Sequence, residues 1–590
     1  MEKLLTRWGK NLDKNLPLND YPRPQLKRDS FINLNGEWNY AIYDEYKKFA
    51  GYQGKIIVPF SPECILSGVE KIVEPSDILY YQKIFKFKRT NHRALLHFGA
   101  VDYECKVLLN GKLVGEHKGG YTPFTFDVTP YILDGENDLR LEIKDPTQTG
   151  TQARGKQTFK RGGIWYTPQS GIWQTVWIEE VCEGYIESIK LTPDIDNDEL
   201  QIEIKYNGPA DAEMAAIALE KGTVMNGCKL ENGKGIIKLA DYECWSPENP
   251  VLYDLKIVAG NDHVESYFGM RKFSVGEDEN GTPRFMLNNK PYFFNGLLDQ
   301  GYWSDGMYTA PHDDALIYDI QTMKDLGFNT LRKHIKIEPL RWYYHCDRLG
   351  MIVWQDMING GGAYNFLAIG TLPFFGMLFS NKKIGHVNDS NKHFRFYART
   401  DEKGREEYFK DSEEMIDLLY NVPSLALWTP FNESWGQFES AKACEFYRKK
   451  DPTRLIDHAS GWADQGAGDV NSFHIYFTPF WFPKYNKNDN RPIALTEFGG
   501  YSIQPKGHMY NKSKFFGYRK YYDQEKFDDA IRNLYENRIL NCIKNKGLSA
   551  IIYTEVSDVE DECNGLLSYD REVIKITPDV MKDINSKIKL

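Results

Sequence analysis

The sequence lacks the residue patterns of disulfide-rich and zinc-binding proteins. Its nine cysteines are scattered from Cys64 to Cys563 without a C-x-x-C pair, and its 12 histidines form no H-x-x-x-H cluster. This distribution is typical of reduced, mostly buried thiols. The closest pair, His345 and Cys346, lies in an amphipathic stretch, where core packing is the expected role. The sequence therefore implies no metal and no cofactor.

Long apolar runs and basic stretches are also scarce. The longest apolar run, around Phe374 to Phe379, is too short to cross a bilayer. The net charge is −10 and no basic stripe occurs, which disfavours nucleic acid and membrane surfaces as partners. The first residues, from Met1, contain no apolar leader core and no small-residue cleavage site. Unless a leader was removed, a cytoplasmic protein is predicted.

At 590 residues, the chain is too long for a single hydrophobic core, so two to four domains are expected. Aromatic residues make up 14% of the chain. Flat rings stack on sugars, but β-rich cores also consume aromatic residues, so composition does not decide the function.

Residues 1–180 predict an all-β domain of the jelly-roll sandwich type. Short alternating runs recur between turn signals, and Asn110-Gly111 is a strong signal for a two-residue hairpin. Residues 181–275 predict a smaller, immunoglobulin-like sandwich of six or seven strands.

Residues 276–590 predict a (β/α)8 TIM barrel, after an initial hairpin over 285–294. Eight short apolar strands alternate with amphipathic helices. The predicted strands are 292–297, 329–334, 352–356, 425–431, 455–459, 472–476, 493–497 and 550–554. The predicted helices are 313–326, 338–349, 413–420, 437–450, 526–546 and 578–588.

Two acids occupy matching positions in this barrel. Asn432-Glu433 ends strand four, and Glu497 ends strand seven. A single glutamate at a strand end is usually a helix-capping or solvated rim residue. Two of them at the face where barrel active sites lie favour paired-carboxylate chemistry.

A long insertion, residues 359–410, follows strand three. It begins with Gly360-Gly-Gly362 and continues through an apolar stretch. Long loops at this face usually shape or cover a pocket. A satellite core or an oligomer contact is the alternative.

Several linked motifs, in order along nearly the whole chain, resemble glycoside hydrolase family 2, the β-galactosidase, β-glucuronidase and β-mannosidase group. The segments that carry the resemblance are Ser170–Trp177, Trp245–Tyr253, Phe268–Lys272, Asn329–His334, Tyr344–Gly350, Asn432-Glu433 and Thr496–Gly499. That family combines a jelly roll, an immunoglobulin-like sandwich and a TIM barrel.

The resemblance implies a retaining exo-β-glycosidase. Glu433 matches the general acid/base, Glu497 the nucleophile, and Tyr476 the tyrosine that hydrogen-bonds the nucleophile. Asn432 is expected to bind the sugar 2-hydroxyl. Because the two acids are close, ionised Glu497 is expected to raise the pKa of Glu433.

Other residues at strand ends are weaker candidates for binding the substrate: Asp299, Arg332, His334, Asp356, His474 and Tyr553. For Arg332, pairing with a buried carboxylate beneath the site is an equal alternative. His334 and His474 are as well suited to supporting neighbouring residues as to touching the sugar.

Departures from the family pattern limit the choice of sugar. Gly296–Gly301 stands where the well-known β-galactosidases carry an Asn-Arg-His-Glu type run, and our hypothesis is that Asp299 replaces part of its function. Glu562-Cys-Asn564 stands where β-glucuronidases carry the Asn-x-Lys pair that binds a uronate, and Tyr553 stands where many members have Trp.

The leading prediction is therefore hydrolysis of the glycosides of a neutral sugar, with a β-galactoside as the favoured substrate. A β-glucuronidase, a β-mannosidase and an α-L-arabinopyranosidase stay open within the family, and a non-catalytic carbohydrate-binding protein outside it. A glycoside or oligosaccharide is the expected partner, and a homo-oligomer is left open.

Overall fold

The computed structural model describes residues 4–378, 387–477, 479–480, 482 and 489–590. Within these residues, no helix is both long and apolar enough to cross a membrane. Of the predicted 359–410 insertion, residues 379–386 lie outside the described part, as does the end of the apolar run at Phe379.

The N-terminal region is a two-sheet antiparallel β-sandwich preceded by a short helix, α1 (Arg7–Lys10). Its strands are β1 (Ile32–Asn33), β2 (Gly36–Asp44), β3 (Gly54–Val58), β4 (Asp77–Phe87), β5 (Arg93–Phe98), β6 (Val101–Asp102), β7 (Glu104–Leu109), β8 (Lys112–Lys118), β9 (Phe124–Asp127), β10 (Gly135–Lys144), β11 (Gly171–Ile172) and β12 (Val176–Val181). The larger sheets run β3-β2-β4-β10-β7-β8 and β1-β12-β5-β9. Asn110 and Gly111, at φ 53° and 76°, form the predicted turn between β7 and β8.

A second antiparallel sandwich follows. Its strands are β13 (Tyr185–Asp194), β14 (Glu199–Asn207), β15 (Met214–Glu220), β16 (Thr223–Lys229), β17 (Lys234–Lys238), β18 (Tyr253–Ala259) and β19 (Asp262–Phe268). They form sheets β13-β14-β17 and β16-β15-β18-β19 around one immunoglobulin-like core. Strand β16 was not among the predicted strands because its residues are largely exposed and carry little apolar alternation.

The C-terminal region is an eight-stranded parallel sheet that curls into a TIM barrel. A small sheet, β20 (Phe273–Glu277), β21 (Pro283–Leu287) and β22 (Lys290–Pro291), precedes it. The barrel strands are β23 (Phe294–Asp299), β24 (Thr330–Lys333), β25 (Ile352–Asp356), β26 (Leu425–Thr429), β27 (Leu455–Ile456), β28 (Asn471–Ile475) and β29 (Ile493–Gly499), and a final strand, Leu548–Thr554. A short parallel pair, β30 (Tyr501–Ile503) and β31 (Arg519–Tyr521), separates β29 from that final strand, β32.

The barrel strands are buried along their whole length, and Phe294, Trp354, Leu427 and Ile552 are among the side chains that fill the interior. Helices cover the outside: α2 (Asp313–Asp325), α3 (Leu340–Leu349), α4 (Leu372–Leu378), α5 (Glu402–Leu419), α6 (Ser440–Lys450), α7 (Gln524–Asn533), α8 (Leu540–Lys546) and α9 (Pro578–Ser586). Two π-helical segments, Leu367–Thr371 and Leu534–Ile539, continue into α4 and α8.

The helix after the long insertion begins earlier than predicted. The apolar spacing suggested a start at Glu413, whereas α5 begins at Glu402, where Asp401 accepts a hydrogen bond from the Gly404 amide. We keep the domain boundaries near 180 and 275 as a proposal. The first lies at the end of β12, and the second falls inside β20.

Candidate active site

The strand that ends at Thr429 places a glutamate over the mouth of the barrel. All five residues of β26 are buried, and the chain then turns sharply: Glu433 and Ser434 have φ angles of 49° and 66°. Residues other than glycine rarely adopt this left-handed backbone, and such conformations concentrate at functional sites. The Glu433 amide donates to the Ser460 carbonyl at 3.1 Å, which fixes the turn.

The second glutamate stands on β29, and the fold brings the two acids together. His474 Nδ1 lies 2.7 Å from Glu433 Oε1 and 3.4 Å from Glu497 Oε2. One oxygen of each carboxylate and this nitrogen all lie within 4.8 Å of one another. The carboxyl groups of retaining glycosidases are about 5–5.5 Å apart and those of inverting enzymes about 6.5–9.5 Å. The spacing here falls on the retaining side.

Among the described residues, Glu433, His474 and Glu497 are also close enough together to hold a metal ion. The histidine is already hydrogen-bonded to Glu433, and a metal would have to replace that bond. Glu433, His474 and Glu497 are thus linked to one another by contacts of their own side chains.

Arg332, fully buried at the end of β24, ties the predicted residues into one network. Its guanidinium donates to Glu497 Oε1 at 3.2 Å, to Asp356 Oδ1 at 2.9 Å and to Asn432 Oδ1 at 2.8 Å. Asp356 also lies 2.7 Å from His334 Nδ1. Although burial raises it, the pKa of Asp356 is held below its ordinary value by Arg332 and His334. Arg332 thus joins Asp356 to Glu497 through hydrogen bonds of its guanidinium group.

Tyr476 supports the second glutamate from the other side. Its hydroxyl donates to Glu497 Oε2 at 2.7 Å, and its ring stacks on Tyr518 with centroids 3.7 Å apart. Burial, followed by the charge of Glu497, raises the pKa of Tyr476 well above its ordinary value, so the hydroxyl stays a donor. The predicted contact between Tyr476 and Glu497 is present.

The two acids differ in their electrostatic surroundings. Burial raises the pKa of Glu433 to about 7, with Glu562 adding to the rise and Lys156 and Arg332 opposing it. The expected contribution of Glu497 is not among the causes of the rise at Glu433, and the charge of Glu433 instead adds to the rise in the pKa of Glu497. Burial also raises the pKa of Glu497, but His474, Arg332 and Tyr476 oppose the rise.

Two of the predicted site residues, Asp299 and Tyr553, form their hydrogen bonds with residues outside this network. Asp299 Oδ2 pairs with Lys333 Nζ at 2.7 Å, inside a buried cluster with Glu338. The Tyr553 hydroxyl accepts a hydrogen bond from the Tyr501 amide at 3.0 Å. The structure thus brings six of the predicted side chains into one network around Glu433 and Glu497, and Asp299 and Tyr553 pair with other residues.

A segment of the N-terminal sandwich reaches the barrel mouth, which the sequence did not indicate. Lys156 Nζ lies 5.7 Å from the centroid of the Trp435 ring, and the Trp165 ring lies 5.3 Å from that of Trp435. The Tyr166 hydroxyl donates to Glu562. No motif around these residues pointed to the site, because the contacts join positions several hundred residues apart.

Several buried polar atoms at the barrel mouth have no hydrogen-bond partner of good geometry among the described residues. They are Asn432 Nδ2, Trp435 Nε1 and Asn564 Oδ1. Gln300 and Glu555 are buried beside each other, and a hydrogen bond from Gln300 opposes the rise in the pKa of Glu555. Gln300 follows β23, and Glu555 follows β32, so both stand at the same face as the acids. Unpaired buried polar groups are rare and costly, which marks this face as a place where a polar ligand is bound.

Three family models match the chain in consecutive stretches. The glycosyl hydrolases family 2, sugar binding domain model matches residues 72–168, the model described as glycosyl hydrolases family 2 matches 184–271, and the family 2, TIM barrel domain model matches 280–576. The barrel match alone covers half of the chain.

Known proteins similar to this chain carry different names. A β-galactosidase from Thermoanaerobacter pseudethanolicus is 25% identical over 55% of this chain and 46% of its own length. This chain spans about half the length of the curated relatives it matches. A β-glucuronidase structure from an uncultured Clostridium aligns over 96% of this chain and 99% of its own, with 18% identity and a TM-score of 0.73. A β-galacturonidase structure from Eisenbergiella tayi aligns over 96% and 98%, with 18% identity and a TM-score of 0.69.

Proposed function

This chain belongs to glycoside hydrolase family 2 and is a glycoside hydrolase, and from that premise we propose that it is a retaining exo-β-glycosidase acting on neutral sugars. The spacing of the Glu433 and Glu497 carboxylates carries the proposal, because their oxygens lie within 4.8 Å. Such a close approach of one oxygen from each acid suits attack on the anomeric carbon by one acid while the other protonates the leaving oxygen, as in retaining enzymes.

The environments of the two acids support a division of roles. With a pKa of about 7, Glu433 is protonated in a large share of molecules near neutral pH and suits the general acid. Glu497 accepts hydrogen bonds from Arg332 and Tyr476, which favour the ionised form needed for a nucleophile.

In the first step, Glu497 forms a bond to the anomeric carbon as the bond to the leaving oxygen breaks, and Glu433 gives its proton to that oxygen. In the second step, ionised Glu433 takes a proton from water, whose oxygen displaces Glu497. Asn432 is placed by Arg332, and its free Nδ2 suits a hydrogen bond to the sugar 2-hydroxyl.

The sugar we favour is a β-galactoside. Curated relatives with that name match this chain at low identity. A uronate is disfavoured because Glu562 and Glu555, two buried acids, lie near the position where β-glucuronidases carry a lysine. The unpartnered Oδ1 of Asn564 and the buried polar groups of Gln300 and Glu555 suit the hydroxyls of a neutral sugar.

The test is hydrolysis of a panel of aryl glycosides: β-galactoside, β-glucuronide, β-mannoside, β-glucoside, β-fucoside and α-L-arabinopyranoside. We expect the β-galactoside to be turned over fastest, with the β-anomer of the sugar as the first product by NMR. Turnover should be lost in Glu497→Gln, with unchanged thermal melting. Glu536→Gln, a partly exposed glutamate with surface ion pairs, is the matched control and should be fully active.

The outcomes separate the alternatives. Faster turnover of the glucuronide, mannoside or arabinopyranoside would change the assigned sugar and keep the mechanism. A first product with the anomeric configuration opposite to that of the substrate would refute retention. Saturable binding of a sugar without turnover of any glycoside would favour the non-catalytic carbohydrate-binding protein. Unchanged activity in Glu497→Gln would contradict the assignment of the nucleophile.

A further inference from the structure

A segment of the N-terminal sandwich, residues 152–169, forms part of the wall around Glu433. The Gly155 amide donates to the Asn359 carbonyl at 3.1 Å, and the Tyr166 amide donates to the Lys156 carbonyl at 3.1 Å. A side chain at Gly155, whose φ is 62°, would meet the Ile335 carbonyl at 3.3 Å. The backbone of this segment is therefore held closely against the barrel, and its side chains are well placed.

The segment carries a lysine whose ammonium group is buried. Lys156 is 5% exposed, and its Nζ lies 5.6 Å from the centroid of Tyr166 and 5.7 Å from that of Trp435. Within the described ranges, no carboxylate lies within 4 Å of it. Burying an ammonium without a direct ion pair is costly, and ring faces offset only part of that cost. Such a group is retained where its charge serves a purpose.

The other cation near the acids is already engaged. Arg332 is paired with Asp356 and with Glu497. His334 is neutral near pH 7, because burial, with Lys156 and Arg332 assisting, lowers its pKa to about 3. Among the residues that the structure describes, Lys156 is thus a cation close to these acids that is not held by a carboxylate.

We propose that Lys156, carried by a segment outside the barrel, is a positioning residue for proton transfer by Glu433. Trp435, which lies beside the ammonium group, is two residues from Glu433, and Glu562, bound by Tyr166, is the acid on the same side. The positive charge favours the ionised form of Glu433, the form needed to activate water in the second step. The inference rests on the proposed function.

Several other groups act on Glu433, and the test must separate them from Lys156. They are His474 on β28, Glu497 on β29, Arg332 on β24, Glu562 after β32, and the hydroxyls of Tyr476 and Tyr518. The charged groups that act most on Glu497 are His474, Glu433 and Arg332. A change at Lys156 should therefore affect the acid/base and leave the nucleophile almost unchanged.

The experiment is the pH dependence of kcat/KM on the best aryl glycoside for wild type, Lys156→Met and Lys156→Arg. In wild type, kcat/KM should fall above about pH 7, since ionised Glu433 has no proton for the leaving group. Without the ammonium group, the pKa of Glu433 rises, so this limb should move up by about half a unit to one unit. Lys156→Arg should keep the wild-type limb, and the acidic limb should not move in either variant.

A control on the same segment is Lys160→Met, which removes the same charge from an exposed position and should change nothing. A dinitrophenyl glycoside, whose leaving group needs no proton, should abolish the difference between Lys156→Met and wild type. Thermal melting reports folding, and Lys156→Gln replaces Lys156→Met if the latter is unstable.

An alkaline limb that stays in place in the neutral variants would overturn the proposal, whether or not KM rises. A raised KM with an unmoved limb would mean that Lys156 contacts the substrate instead. If wild type hydrolyses no glycoside, the proposed function fails before Lys156 is tested; if wild type is active and the limb does not move, only the role of Lys156 fails.

Discussion

Two walls of the same pocket differ in how their polar groups are satisfied. On the catalytic wall, formed by Arg332, Asp356, His474, Tyr476 and Glu497, each side chain is hydrogen-bonded to a neighbour. On the recognition wall, formed by Gln300, Glu555 and Asn564, the buried polar groups have fewer such partners: Gln300 pairs with Glu555, and Asn564 Oδ1 has no partner among the described residues. Both walls are buried, so exposure to water does not explain the difference.

The contrast separates chemistry from recognition. A nucleophile held by fixed donors needs no reorganisation when charge moves in the reaction, which is the main source of electrostatic catalysis. A buried group without a partner costs stability until a ligand supplies one, and it rejects ligands that cannot. We therefore expect changes on the catalytic wall to lower turnover by large factors, and changes on the recognition wall to alter selectivity and stability.

The largest effect should come from breaking the catalytic wall at Glu497. Glu497→Gly should lower kcat by a factor on the order of 10⁵, because no covalent intermediate is formed. Azide, which fits the space of the lost carboxylate, should restore turnover and yield the α-glycosyl azide, which NMR identifies. A β-glycosyl azide would instead assign the nucleophile to another residue.

The next effect concerns Glu433. Glu433→Ala should lower kcat/KM by about 10²–10⁴-fold on a nitrophenyl glycoside, the usual contribution of a general acid. A dinitrophenyl glycoside should be attacked at almost the wild-type rate, because its leaving group needs no proton. The fall of kcat/KM above about pH 7 should disappear, since Glu433 is the group that titrates there. Equal losses on both substrates would contradict this role.

On the recognition wall, Glu555→Gln should lower kcat/KM by about 10–100-fold, as expected when a sugar hydroxyl loses its buried hydrogen-bond partner. By contrast, Glu555→Gln should be more stable than wild type near neutral pH. Burial and Glu562 raise the pKa of Glu555 well above its ordinary value, so the folded state binds its proton more tightly than the unfolded state. The wild-type free energy of unfolding should therefore fall as pH rises from about 4 towards neutral.

Glu555→Gln removes this titration, so its advantage in melting temperature should be largest near neutral pH and vanish near pH 4. Glu572→Gln, a partly exposed glutamate, is the control and should show no such trend. A variant that is less stable than wild type at neutral pH would show that Glu555 supports the fold.

The sequence predicted the catalytic wall far better than the recognition wall. Glu433 and Glu497 stand at the ends of apolar strands, and strand ends of a parallel barrel must meet at one face. Lys156 and Tyr166 are placed by contacts between a sandwich and a barrel that are remote in sequence, and Glu555 lies in a loop after β32. Local patterns carry no information on such contacts, so these residues were found only in the fold. For the same reason, the sequence did not predict that Asp299 pairs with Lys333, away from the two glutamates.

The smallest effect is expected at the rim, outside both walls. The Phe477 ring is 49% exposed and lies 5.3 Å from Tyr518, which stacks on Tyr476 beside Glu497. An aromatic leaving group that packs on Phe477 gains contact area, whereas a small one does not reach it. Phe477→Ala should therefore lower kcat/KM about 3–10-fold for naphthyl glycosides, which corresponds to roughly 1 kcal/mol of ring contact, and leave methyl glycosides unchanged. Equal losses on both substrates would instead show that Phe477 acts on the catalytic wall through Tyr518 and does not contact the leaving group.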